Sequence, residues 1–231
     1  VWVLEERLIA MFDYGYLLFI VASLALGGLA SWYVNHQLNK YTQVPISNGL
    51  TGAEAARQML TFYGISNVEV GMGRPGQDHF DPRTNSISLG PDSFNGRTIT
   101  ATATACHEVG HACQFAQDYT PMKIRSAIVP VVNIASNAWM FILMIGIAMQ
   151  MLGLINLAII MYACVLVFQL VTLPVEFDAS KRAMTYMDTI GIPKPERDGA
   201  FSVLRACALT YISAALVSIL QLLWLLSQRN R

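Results

Sequence analysis

A chain of 231 residues that is 54% hydrophobic and only 13% charged has the composition of a protein built into a membrane, because a water-soluble fold of this length exposes more charge. Its 15 basic and 15 acidic residues cancel, and the cations occur as scattered pairs without a basic cluster, which excludes nucleic acid as a partner. Four cysteines, Cys106, Cys113, Cys164 and Cys207, form neither a CxxC pair nor a disulfide framework.

Residues 1–13 read as an N-terminal extension that carries Glu5, Glu6 and Arg7, with Met11 a candidate natural start. Residues 14–34 are uncharged and apolar, long enough to cross a bilayer core, and end in Trp32 and Tyr33 at interfacial depth. The acidic start and the length of the run argue for a retained anchor rather than a cleaved signal.

Residues 36–125 are polar enough to lie outside lipid and are expected to form a segment at the membrane surface. Thr51-Gly52-Ala53-Glu54 is a capping box, and Ala55, Ala56, Met59, Leu60 and Phe62 follow at helical spacing before Gly64, so a helix is expected over 52–63. Alternation around Val68 and Val70 and around Ile87 and Leu89 predicts two short strands joined by the Gly-, Pro- and Asp-rich residues 71–85. Residues 86–89 are the expected edge strand, a place where an extended chain could be held by β-addition.

Thr98 to Thr104 alternate with period two and by pattern alone would be a strand. The residues that follow, His107-Glu108-Val109-Gly110-His111, override that reading. Histidines four apart share one face of a helix and can close on one metal ion, with Glu108 one residue round to reach the metal-bound water. A helix from about residue 97 is therefore expected. Cys106 and Cys113 bracket the motif two turns apart, and packing is the favoured reading of both over metal binding.

Residues 126–173 contain no charged residue, which is too long for one crossing and right for two, with the break expected between Gln150 and Asn156 at Gly153. Asn133 and Asn137 on the first of these helices are expected to bond across to another helix. A polar segment, 174–205, precedes a last uncharged span, 206–228, with Trp224 near its far end. The expected fold is mainly α, with four transmembrane helices and a small α+β zincin-like catalytic segment at the membrane surface.

A zinc hydrolase takes a third protein ligand and leaves the fourth position to water. Gln114 and Gln117 occupy the places where a longer metzincin pattern has Gly and His, and His36 and His79 are the only other histidines. Glu176, directly after the hairpin, is the better candidate. Two crossings separate it from His107, so both fall on one side of the membrane.

Asp78-His79-Phe80-Asp81-Pro82, His107 to Gln114, Thr172 to Ala183 and Ala208 to Leu223 together resemble the membrane-bound neutral zinc metallopeptidases of the YugP type, four blocks in order over about residues 11–226. The resemblance implies a zinc peptidase embedded in the membrane with Glu108 as catalytic residue. A wider similarity to gluzincins, whose second motif is a Glu with an Asp four residues on, implies His107, His111 and Glu176 as ligands of Zn2+. Here Ser180 stands at the place of that Asp, so the partner that orients a histidine is altered or comes from elsewhere, with Asp178 a candidate. Cys106 and Cys113 also depart from the expected Ala and aliphatic residue.

The expected function is a zinc metalloendopeptidase cutting peptide or membrane-protein substrates at the surface of the lipid bilayer, with Glu108 as general base towards a zinc-bound water. His79, Tyr119 and Tyr211 are the candidates to stabilise the oxyanion, each with a structural reading beside it. An intramembrane site-2-type protease and a non-catalytic zinc-binding scaffold are the alternatives. Arg97, the threonines and Asp118 around the motif disfavour the first, and Glu108 disfavours the second. Lys40, Lys123, Arg125, Lys181, Arg182 and Arg205, against Arg7, Arg229 and Arg231, predict a cytoplasmic-facing site in a bacterial plasma membrane. Nothing in the sequence specifies an oligomeric state.

Overall fold

The structure is a computed structural model and describes residues 14–229. The expected extension 1–13, with Arg7, and the terminal Arg231 lie outside the described residues. The elements are α1 (Tyr14–Thr42), α2 (Gly52–Phe62), β1 (Glu69–Met72), β2 (His79–Asp81), β3 (Ser86–Leu89), α3 (Pro91–Asn95), α4 (Ile99–Ala116), α5 (Thr120–Ala148), α6 (Leu152–Thr189) and α7 (Lys194–Arg229). The chain is mainly helical, and α1, α5, α6 and α7 are long and apolar enough to cross a membrane.

These elements divide into two compact units. One takes the apolar stretches: α1 up to Ala30, Ile124–Thr172, and α7 from Tyr211. Its core gathers Leu143, Ala158, Ile159, Tyr162 and Leu225, with the Trp139 ring edge-on to Tyr162 at 4.6 Å. The hairpin turns at residues 149–151, ahead of the expected Gly153, which lies inside α6. Gln150 takes the left-handed conformation there, at φ 55°, and Met151 N–H donates to the Gly146 carbonyl to close the end of α5. Asn133 and Asn137 are exposed and do not bond to another helix as expected; Asn137 Nδ2 donates to the Asn133 carbonyl one turn back at 2.7 Å. A polar side chain in an apolar helix is satisfied within its own turn.

The second unit, Ser31–Lys123 and Leu173–Thr210, carries the sheet, α2, α3, α4 and the polar ends of the long helices. α2 begins with the expected capping box: Thr51 Oγ1 accepts from Glu54 N–H, and Glu54 Oε2 accepts from Thr51 N–H at 2.7 Å. It buries Ala53, Ala55, Ala56, Met59 and Leu60 on one face, and Gly64 at φ 70° follows its end.

The sheet has three strands in the order β1-β3-β2, β1 parallel and β2 antiparallel to β3. β3 is therefore central, not the expected edge at residues 86–89. Its Ile87 and Leu89 are buried, and the open edges belong to β1 and β2. β2 escaped the alternation test because it is three residues long, with Phe80 its one buried position.

Residues 99–104 are helical, as the metal argument required, and Thr98 before them is extended. Thr98 caps α4 by accepting from Ala101 N–H at 3.3 Å, and the helix is buried on nearly all sides, from Ile99 through Gln114. A helix surrounded by protein shows no amphipathic period, so the alternation of small residues was free to mimic a strand.

The expected polar segment 174–205 is no separate element. Its first half continues α6 to Thr189, its second half begins α7 at Lys194, and Gly191 at φ 75° sits in the turn between them. Pro174 stands inside α6, where it cannot donate to the carbonyl four residues back.

Candidate metal centre

The site is assembled by two helices that come close at Gly110. A Cβ added there would lie 2.5 Å from the Ala179 carbonyl oxygen and 2.8 Å from its Cα, so glycine between the two histidines lets α4 lie against the backbone of α6. That contact sets Glu176, one turn before Ala179, opposite the imidazoles.

His107 Nε2 lies 3.1 Å from Glu176 Oε2 and His111 Nε2 3.6 Å from the same oxygen. The two rings stand edge to face with centroids 4.7 Å apart. One ligand atom from each of the three residues falls within 4.8 Å of the others, as side chains converging on a single ion require. Among the described residues no other His, Cys, Asp or Glu joins this group. Two imidazole nitrogens and one carboxylate, with the fourth position left to solvent or substrate, is a donor set that suits zinc in a hydrolytic site.

The outer nitrogens are held as well. Gln114 Nε2 donates to the Val175 carbonyl at 2.6 Å and to Asp178 Oδ2 at 3.0 Å. This fixes the amide so that Oε1 faces His111 Nδ1 at 3.0 Å and accepts its proton. With a metal bound, His111 would keep that proton on Nδ1 and offer the lone pair of Nε2 to the ion. Asp178 also accepts from Arg182 Nε at 2.6 Å, while Arg182 donates to Gln117 Oε1. On the other ring, His107 Nδ1 lies 3.1 Å from Ser180 Oγ. Burial alone would lower the His111 pKa, but hydrogen bonds to Glu176 and Gln114 and the charges of Glu108 and Glu176 together raise it above the ordinary imidazole value.

Every residue singled out for the site can now be placed. His107, His111 and Glu176 come together, and Glu108, on the same helix, is 8% exposed. Ser180, noted as a departure from the gluzincin pattern, itself holds His107. Asp178 acts one step further out than expected, on Gln114 and not on a ring. Gln114 was missed as a functional residue; its place one turn after His111 on a helix was the signal. Cys106 and Cys113 are fully buried core residues, as the packing reading has it. His36 stacks on Trp32 at 5.6 Å, and His79 lies on β2 near the Gln77 carbonyl. Tyr119 donates to the Pro174 carbonyl at 3.4 Å, and Tyr211 belongs to the other unit.

Two comparisons with known proteins found relatives of the chain. The family described as "Putative neutral zinc metallopeptidase" matches residues 16–230. The curated "Putative membrane protease YugP" of Bacillus subtilis (strain 168) is 42% identical over 212 residues, 90% of this chain and 94% of that relative. No solved structure matches the chain.

Proposed function

The chain belongs to the putative neutral zinc metallopeptidase family, and from that premise we propose that it is a membrane zinc metalloendopeptidase in which His107, His111 and Glu176 hold Zn2+ and Glu108 is the general base. The observation that carries this reading is the convergence of three donor atoms within 4.8 Å, reached from two helices and 69 residues of sequence apart. When bound, zinc supplies a Lewis acid that acidifies a water and polarises a carbonyl.

The chain's own residues do the rest. Gln114 and Ser180 fix the ring orientations, so the two Nε2 atoms need no rearrangement to serve as ligands. The Glu108 carboxylate accepts a proton from the attacking water and returns it to the leaving amine. β2 has an open edge and packs near α4 through Phe80 against Phe115, ring centroids 5.8 Å apart; we assign it the extended substrate by strand addition.

Action at the membrane surface is supported by the motif helix itself. α4 has 18 residues and is not among the four candidate spans, whereas an intramembrane protease would carry the motif on one. We further propose that the site faces the cytoplasm of a bacterial cell, from the distribution of cations next to the spans.

The test separates enzyme from zinc-binding scaffold. Glu108→Gln keeps the size of the side chain and deletes only the base. Purified variant in detergent is expected to retain zinc at the wild-type ratio and to cut an unfolded protein such as casein at least about a hundredfold more slowly, with a chelator abolishing wild-type cleavage. Wild-type rates from Glu108→Gln would falsify the mechanism, and zinc without cleavage in both proteins would favour the scaffold.

A further inference from the structure

Beside the metal centre, α6 and α7 form a groove of about 360 Å³ whose lining is almost wholly apolar. Phe177 and Met184 come from α6, Phe201 and Leu204 from α7, and the cations Lys181 and Arg205 stand at the same groove. Phe177 is 46% exposed and Phe201 52%, a large apolar commitment to leave facing water.

Position along the helices says what solvent this groove meets. Residues 126–173 and 206–228 carry no charge, so Lys181 and Arg205 are the first cations met beyond each uncharged run. From Phe177 to Met184 the helix rises about 10 Å, on the scale of the headgroup layer that flanks a bilayer core. Aromatic side chains and cations at this depth are the usual contacts of lipid headgroups and glycerol backbones. Arg205 is steadied by the Tyr33 hydroxyl at 3.0 Å and lies over the Phe201 ring at 5.9 Å, while Lys181 is exposed.

We propose that this groove is a binding site for one anionic phospholipid, an acyl chain lying along Phe177 and Ala208 at the end nearer the uncharged runs, the phosphate between Lys181 and Arg205, and Met184 and Phe201 against the headgroup beyond the cations. Charge complementarity selects the occupant: a zwitterionic lipid would bring its own cation towards two others, and an uncharged apolar peptide side chain would leave both cations unused. Ser180, which holds His107, is itself a lining residue, so the groove borders the stretch of α6 that carries Glu176.

The test needs no enzymatic activity and therefore stands apart from the peptidase reading. Full-length protein in detergent is mixed with equimolar phosphatidylglycerol and phosphatidylcholine of the same acyl chains, and retained lipid is counted by native mass spectrometry. Phosphatidylglycerol is expected to be retained preferentially. Lys181→Gln is expected to cut that preference about fivefold, the scale of one cation near an anionic headgroup, and Lys181→Arg to keep it. Equal retention of the two lipids, or an undiminished preference in Lys181→Gln, overturns the site. A photo-crosslinker at Met184 in membranes decides the occupant: adducts to phospholipid support the proposal, and adducts to added unfolded peptide in place of lipid overturn it.

Discussion

Glu176 and Asp178 are two positions apart on α6, and that spacing gives them different tasks. Glu176 is 2% exposed and faces both imidazoles; Asp178 turns to Gln114 and Arg182. Glu176→Ala removes the only anionic donor of the proposed three and is expected to leave the purified protein with little zinc, read by mass spectrometry of the metal. Asp178→Ala loosens the amide behind His111 and frees Arg182, and a loss of about ten- to a hundredfold in affinity, measured by competition with a chelator, is the scale for such an outer partner. Full zinc in Glu176→Ala would move the third ligand elsewhere. Burial pushes the Cys106 and Cys113 thiols up to about 12, so neither is expected to react with iodoacetamide at pH 8 until the protein is unfolded; rapid native labelling followed by mass mapping would contradict their place in the core. At this scale the pairing of His107 with His111 was legible because two imidazoles that share an ion take one spacing on a helix, and Glu176 was reached through the count of crossings and the resemblance. Gln114 and Ser180 were not legible as ring partners, since a polar side chain acquires that meaning only when the second helix is in place.

Helix α4 depends on a contact that its own sequence does not reveal. Gly110 lies against the Ala179 backbone, so Gly110→Ala must push α4 and α6 apart or shift one along the other. Overpacking of this kind costs about 1–3 kcal/mol, and the same displacement separates Glu176 from the histidines. Lower thermal stability together with lost zinc is the expected result, by melting in detergent and by metal content; an unchanged melt with full zinc would mean that the close approach is not needed. The elements differ in how readably they are written. α2 has its start and stop in local chemistry, the Thr51 box and Gly64, and its boundaries follow from the sequence to within a residue. β3 reads as a strand but not as a central one, because its neighbours are set by β1 and β2 pairing on both sides. The polar continuation of α6 through Glu176 is hidden by Pro174 and by charges that mark a change of solvent, not an end of the helix.

For the molecule as a whole, the uncharged runs made all four candidate spans legible, since hydrocarbon admits few other patterns. Orientation is a weaker signal because it rests on a difference in cation count. The proposed orientation counts Lys40, Lys123, Arg125, Lys181, Arg182 and Arg205 on the side of the metal centre, against Arg7, Arg229 and Arg231 opposite. Several of these cations are engaged: Lys123 pairs with Asp118 at 2.6 Å, Arg182 with Asp178, and Arg205 with Tyr33. Acidic partners contribute little to the orientation rule, which counts Lys and Arg rather than net charge, so the pairing leaves the cytoplasmic assignment standing. Single cysteines at Thr84 and Arg229, introduced into a chain whose four native cysteines are replaced, report the two sides to a membrane-impermeant maleimide added to intact cells. Labelling at 229 and protection at 84 until the membrane is permeabilised is the expected pattern. Labelling at 84 with protection at 229 would turn the protein over and put the metal centre, the β2 edge and the Lys181 groove outside the cytoplasm.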